Sequence, residues 1–213
     1  MARTVRRDDL VAYLDRYLRV ADIPDSSPNG LQVQGVEKVT RIAYAVDVSV
    51  QTIRAAERAH ADFMIVHHGL WWGRHVPITG TMHARVSGLV RADLSLYAAH
   101  LPLDCHPKVG YNVELARLLG LRVMEPFGEY KGTRIGVIAI GPRGRAETVE
   151  DVSARVSAAY EAFDHPAGNR LRPGRAGHHH APLETSGGAF RGASVLNAAE
   201  LAAIWHLPDL TSG

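Results

Sequence analysis

Three apolar segments of the chain are each followed by side chains that can bind a metal ion. The segment DFMIVHH ends in His67 and His68. Two further segments, LSLYAAH and RIAYAVD, end in His100 and Asp47, and Asp104 follows four residues after His100. Imidazole and carboxylate are the usual protein ligands of Zn, Mn, Fe, Co and Ni. This set contains no thiolate pair, which argues against a structural zinc finger and favours a metal that activates water.

The adjacency of His67 and His68 restricts how the two residues bind a metal. Neighbouring side chains of a regular strand point to opposite faces, and both reach one ion only where the backbone bends. A strand end permits such a bend, and two neighbouring ions relax the restriction further. A carboxylate such as Asp104 can bridge two ions that lie about 3.5 to 4 Å apart. We therefore predict a site for two metal ions with His67, His68 and Asp104 as its core ligands.

Alternating helical and strand-like segments predict how these side chains are brought together. Apolar residues at helical spacing predict an N-terminal helix over residues 7–18. Further helices are predicted over residues 50–60, 82–92, 109–119 and 147–160, and a fourth strand over residues 132–140. This alternation is typical of βαβ units and predicts an α/β fold with a mostly parallel sheet flanked by helices. The carboxyl ends of parallel strands meet at one edge, where the metal-binding side chains should converge.

The composition changes after residue 163, where Pro, Gly, Arg and His occur without a helical or strand period. We predict an α/β metal-binding domain at residues 1–163 and an irregular, loop-rich C-terminal tail at residues 164–213. One short helix is expected in this tail, over residues 197–206. Within the first domain, the segment at residues 25–35 is rich in Asp, Ser, Pro, Asn and Gly, and it predicts an ordered loop because these residues favour turns.

The composition argues against several classes of protein. Lys and Arg number 24 against 22 Asp and Glu, a balance that does not indicate a nucleic-acid binder. No apolar run reaches about 18 residues, and the N-terminus lacks the apolar stretch of a signal peptide. The dinucleotide, P-loop and serine-hydrolase motifs do not occur. We expect a cytoplasmic protein with a small-molecule substrate, without a membrane or nucleic-acid partner.

Four segments of the sequence together match one known pattern. They are NGLQVQG, AYAVDVS, IVHHGLWWG and AAHLPLDCHPKVGYNVELARLLGL. With these segments, roughly over residues 8–160, the chain resembles the GTP cyclohydrolase 1 type 2 homologue family, also called NIF-three-like dinuclear metal proteins. One departure is Gly69, which follows the histidine pair where the family pattern has a proline.

The resemblance implies a ligand set for two divalent metal ions. It assigns His67, His68 and Asp104, and adds His180 and Glu184 through an H-x-x-x-E pattern. In the family, a further α/β stretch precedes that pattern, whereas here only a loop-like segment does. We therefore expect a shortened or disrupted C-terminal half. The resemblance also implies a homo-oligomer, since family members form hexamers.

The family name implies hydrolytic opening of the guanine ring of GTP by a metal-activated water. From this we predict a metal-dependent hydrolase that acts on a purine nucleotide or on a related heterocycle or phosphoester. His100 is the best placed candidate for a general acid or base. The alternative is a non-catalytic metal-handling or regulatory interaction protein that retains only part of the site.

Overall fold

The chain forms two compact units. The computed structural model describes residues 4–74, 76–141, 147–164 and 194–197. Unit 1 consists of Met1–His100 together with Gly174–Gly213, and unit 2 of Leu101–Pro173. The two units are described separately.

Helices and strands alternate through most of the described chain. The helices are α1 (Arg7–Leu18), α2 (Val50–Arg58), α3 (Gly80–Arg91), α4 (Leu101–Asp104), α5 (Tyr111–Leu118) and α6 (Val149–Asp164), with a 3-10 helix at Val20–Asp22. The strands are β1 (Val5–Arg6), β2 (Gly30–Val33), β3 (Lys38–Val39), β4 (Arg41–Asp47), β5 (Phe63–His68), β6 (Ser95–Ala98), β7 (Arg122–Tyr130), β8 (Thr133–Ile140) and β9 (Ser194–Asn197). The helices predicted over residues 7–18, 50–60, 82–92, 109–119 and 147–160 are confirmed, with ends that differ by a few residues.

The main sheet of unit 1 has five strands in the order β2-β6-β5-β4-β9. Strands β4, β5 and β6 are parallel to one another, whereas β2 and β9 pair antiparallel at the two edges. The prediction of a mostly parallel sheet is therefore wrong, because the sheet is mixed. Strand β2 forms within the segment at residues 25–35 that was predicted as a loop. Its short apolar run pairs with β6 directly after the turn residues, and this pairing supplies backbone hydrogen bonds.

The core of unit 1 lies on both faces of the central strand β5. Met64 and Val66 belong to a buried cluster that includes Ile53 of α2 and Leu89 of α3. The alternate residue Phe63 faces the other way, where its ring lies 6.1 Å from that of Tyr97. Helix α1 supplies buried leucines, namely Leu10, Leu14 and Leu18. The continuous apolar run of β5 is explained by its burial on both faces.

A capping box fixes where β4 ends and α2 begins. The Ser49 side chain accepts a hydrogen bond from the Thr52 backbone N–H, and the Thr52 hydroxyl accepts one from the Ser49 backbone N–H. The Thr52 hydroxyl also lies 2.9 Å from the carbonyl oxygen of Asp47. These contacts hold Asp47 at the carboxyl end of its strand.

Unit 2 contains a β-hairpin formed by β7 and β8. The strand predicted over residues 132–140 is present as β8, but it pairs antiparallel with β7, which was not predicted, and belongs to a separate two-stranded sheet. Lys131 and Gly132 form the two-residue turn, with φ of 48° and 80°. Positive φ at both turn residues matches the twist of a tight hairpin.

The predicted C-terminal tail lies largely outside the described residues. The helix expected over residues 197–206 lies outside the described residues except for Asn197, which ends β9. That strand was not predicted. Within the described ranges, no helix combines the length and apolar character needed to cross a membrane.

Candidate metal centre

The metal-binding side chains of unit 1 lie where its parallel strands end. His67 and His68 are the last two residues of β5, and His100 follows β6 after one intervening residue. Asp47 ends β4 and is the register partner of His68. The convergence of His67, His68 and His100 expected from the sequence is therefore present in unit 1.

The three imidazole rings form one cluster. The ring centroids of His67 and His68 are 4.6 Å apart, those of His67 and His100 4.8 Å, and those of His68 and His100 5.7 Å. One ligand nitrogen from each ring lies within 4.8 Å of the others. Adjacent strand residues point to opposite faces, so the approach of the two neighbouring rings requires the strand end to depart from regular geometry.

A hydrogen-bond acceptor faces the Nδ1 atom of each imidazole. The Nδ1 atom of His67 lies 3.1 Å from the carbonyl oxygen of Ala99, and that of His68 lies 2.7 Å from a carboxylate oxygen of Asp47. The Nδ1 atom of His100 lies 3.1 Å from each carboxylate oxygen of Asp25. Carbonyl and carboxylate oxygens only accept, so each Nδ1 carries the donating proton and each neutral ring has its lone pair on Nε2. Ligand histidines are commonly oriented by such partners.

The protonation of His67 also suits a metal ligand. The pKa of His67 is lowered from 6.5 to about 4, chiefly by burial and to a smaller extent by the neighbouring His68 and His100 rings. The hydrogen bond to Ala99 acts in the opposite direction. The ring is therefore neutral at pH 7, which is the form that binds metal ions. Three imidazoles without a thiolate fit Zn and the other first-row divalent ions.

Sequence reasoning did not identify Asp25. Its side chain is only 3 % exposed, and it accepts hydrogen bonds from the backbone N–H of Ser27 and the side-chain amide of Asn29. The available signal was an Asp two residues before a Ser in a turn-rich segment, a pattern in which the carboxylate bonds the following backbone. No local sequence pattern indicates that this carboxylate is buried against a histidine from a distant segment.

Trp72 borders the imidazole cluster. Its ring centroid lies 4.9 Å from that of His100 and 5.4 Å from that of His68, in both cases with the rings steeply inclined. The residue is 43 % exposed. An aromatic side chain that touches the cluster and also meets solvent can contact a planar group bound there.

The remaining predicted ligands lie in unit 2 or outside the described residues. Asp104 is the last residue of α4 in unit 2, where its carbonyl oxygen accepts a hydrogen bond from Asn112. His180 and Glu184 lie outside the described residues. Their roles as ligands remain predictions.

Comparisons with known proteins identify relatives over much of the chain. A protein of Deinococcus radiodurans named GTP cyclohydrolase 1 type 2 homolog is 52% identical over 139 residues, which are 65% of this chain and 53% of that protein. A protein of the same name from Pyrococcus abyssi is 49% identical over 134 residues, 63% of this chain and 54% of that protein. The chain thus spans about half the length of the curated relatives it matches.

A solved structure shares the fold. The crystal structure of TTHA1606 from Thermus thermophilus aligns with a TM-score of 0.56 at 50% identity, covering 58% of this chain and 51% of that one. The family model Duf34/NIF3 (NGG1p interacting factor 3) matches residues 5–188. The resemblance inferred from the sequence motifs is confirmed, and the chain belongs to the Duf34/NIF3 family.

Proposed function

We propose that this protein is a metal-dependent hydrolase with a dinuclear metal centre. The proposed ligands are those of the sequence prediction, namely His67, His68, Asp104, His180 and Glu184. The observation that carries the proposal is the cluster of imidazoles at the carboxyl ends of β5 and β6. The name of the relatives, GTP cyclohydrolase 1 type 2 homolog, supports a purine nucleotide as substrate, with related heterocycles and phosphoesters as further candidates.

The residues of unit 1 have separate tasks in this proposal. When bound, a divalent ion supplies Lewis-acid activation of water and of the substrate. Asp47 and the carbonyl oxygen of Ala99 orient the His68 and His67 rings through their Nδ1 protons. The indole of Trp72 provides an exposed aromatic surface beside the cluster, against which a purine ring can stack.

A second candidate function is non-catalytic metal handling or regulation by interaction. The alignments with the relatives extend over about half of their length, and the described imidazole cluster lies within unit 1 alone. These observations support metal binding at the cluster more strongly than they support catalytic turnover.

Metal content and hydrolysis of the purified full chain test the proposal. Protein prepared without chelator should contain a first-row divalent metal by mass spectrometry and should hydrolyse GTP or a nitrophenyl phosphodiester. The double variant His67→Ala/His68→Ala should lose both properties, and His83→Ala, on the exposed side of α3, should retain them. Metal binding without turnover on any of these substrates would favour the second candidate. A double variant with unchanged metal content would place the site elsewhere.

A further inference from the structure

Strand β4 has the composition of a strand that pairs readily with another chain. Its sequence, RIAYAVD, contains neither Pro nor Gly, and its two charged residues, Arg41 and Asp47, stand at its ends with opposite signs. Ile42, Tyr44 and Val46 between them favour extended structure. An exposed edge is usually protected by Pro, by charged side chains or by a bulge, and segments without them are prone to self-association. The interior of β4 has none of these protections, and its register with β5 is constant.

Strand β9 covers only part of the outer edge of β4. It pairs antiparallel with β4 over four residues, from Arg41, which faces Asn197, to Tyr44, which faces Ser194. Among the described strands, only β5 lies beside residues 45–47 of β4. Backbone groups at an edge without a neighbouring strand remain available to another chain. The cover of β4 is therefore short, and it comes from a segment far along the chain.

The sequence of β4 is complementary to itself in an antiparallel pair. When two copies pair around a two-fold axis, each residue faces the residue that lies equally far on the other side of the axis. With the axis at Tyr44, the middle residue of β4, Arg41 of each copy faces Asp47 of the other copy. The uncharged residues between them face uncharged residues. Opposite charges and apolar side chains directly across an antiparallel ladder stabilise it.

We propose that β9 is a releasable edge strand, and that its release lets β4 pair with β4 of a second copy of this chain, in the register centred on Tyr44. The pair between copies engages all seven residues of β4, whereas β9 engages four. In the intact chain β9 prevails because it belongs to the same molecule, and tethered segments reach effective concentrations on the order of millimolar. Neither metal binding nor hydrolysis is needed for this exchange of strands.

Release of β9 within the full chain tests the exchange. The variant Val195→Pro/Leu196→Pro, called the release variant, removes two successive backbone N–H groups of β9. Neighbouring residues of a strand direct these groups to opposite sides, so one of the two faces β4 and its loss breaks the pairing. A matched control, Ala199→Pro/Glu200→Pro, carries the same two prolines outside β9.

Disulfide cross-linking reports the register of the pair. Cys105→Ser removes the single native cysteine, and Tyr44→Cys then places two cysteines opposite each other across the axis. The Cα separation there, about 4.5 to 5.5 Å, suits a disulfide. At micromolar protein and under mild oxidation, the release variant should form a cross-linked dimer on non-reducing gels. The intact chain and the proline control should form at least about tenfold less. Glu57→Cys, at an exposed position of α2, should not cross-link.

Changes of charge separate this register from unspecific association. In the release variant without added cysteines, Arg41→Asp places acidic residues opposite each other at both ends of the pair. The association, measured by sedimentation, should weaken about tenfold or more. The further substitution Asp47→Arg brings opposite charges together again and should restore it. An association that is insensitive to both substitutions would contradict the proposed register.

A folded release variant that cross-links through Tyr44→Cys no more than the intact chain does would overturn the proposal. Circular dichroism establishes folding, and the single variants Val195→Pro and Leu196→Pro replace the double one if it is unfolded. The intact Tyr44→Cys chain provides a measurement without release. Its cross-linked fraction should rise as the protein concentration approaches the millimolar range, and a constant fraction would equally refute the exchange.

Discussion

Two carboxylate–histidine pairs in unit 1 have the same chemistry but different surroundings. In one pair the Asp25 side chain is 3 % exposed and its partner His100 19 %, whereas in the other Asp47 is 68 % exposed and His68 39 %. Water competes for the hydrogen bond of the exposed pair, whereas the buried carboxylate depends on its protein partners. From this comparison we expect the two carboxylate–histidine hydrogen bonds to contribute very differently to the free energy of unfolding.

The largest expected effect follows removal of the buried carboxylate. In Asp25→Ala, the Ser27 N–H, the Asn29 amide and the His100 ring lose their acceptor. Breaking a buried charged interaction from one side costs about 3 to 5 kcal/mol, and we expect the free energy of unfolding to fall by that amount. Urea denaturation of the metal-free protein measures it. A loss no larger than that of Asp47→Ala would contradict the comparison.

The second prediction concerns His67, whose Nδ1 faces a backbone carbonyl instead of a carboxylate. Its pKa of about 4 in the folded protein lies below the usual 6.5. Between pH 4 and pH 6.5 the unfolded chain therefore binds more protons at this residue than the folded chain does. Metal-free protein should therefore lose stability as the pH falls from 6.5 to 4, by at most about 1.4 kcal/mol per pH unit from this residue. Denaturation at several pH values measures the slope, and His67→Gln should reduce it. An equal slope in the variant would assign the effect to other groups.

A third prediction addresses the connection between the segment after His68 and strand β2. The Gln32 amide accepts from the Leu70 N–H at 2.7 Å and donates to the Pro28 carbonyl at 2.6 Å. A Cβ atom on Gly69 would lie 2.8 Å from Cδ of Gln32 and displace this amide. Gly69→Ala should cost about 1 kcal/mol, the usual value of one such hydrogen bond.

Thermal denaturation of Gly69→Ala, Gln32→Ala and the double variant tests this coupling. If Gln32 is the cause, Gly69→Ala should cost little in the Gln32→Ala background. Additive losses would show that the substitution acts through another contact.

The smallest expected effect is that of Asp47→Ala. The pair is exposed to solvent, and exposed pairs contribute about 0 to 1 kcal/mol, so the free energy of unfolding should change by no more than that. Urea denaturation of the metal-free variant measures the change. A loss as large as that expected for Asp25→Ala would remove the distinction between the two pairs.

Local patterns in the sequence were sufficient to predict the helices and the central strands. Leu10, Leu14 and Leu18 recur at helical spacing, and they are the buried residues that define one face of α1. The apolar run that ends at His68 predicts β5 because burial on both faces requires such a run. The predicted convergence of His67, His68 and His100 followed from the parallel arrangement of β4, β5 and β6.

Features that depend on pairing between distant segments were not predicted. The antiparallel direction of β2 is set by how the chain returns to the edge of β6. Strand β7 contains Pro126 and Gly128, both of which are unfavourable within strands, and it is formed by pairing with β8. The burial of Asp25 likewise depends on His100, which lies 75 residues away in sequence.

The central position of β5 has a consequence for the exchange of backbone hydrogens. This strand has a parallel partner on each side, and its first five residues are buried. Local opening that exposes its amides must break two ladders together, and such segments exchange only through the largest unfolding events of a domain. Amide deuteration of β5 should therefore be among the slowest in unit 1. The residues that end this strand, His67 and His68, are thus attached to a part of the chain that seldom opens.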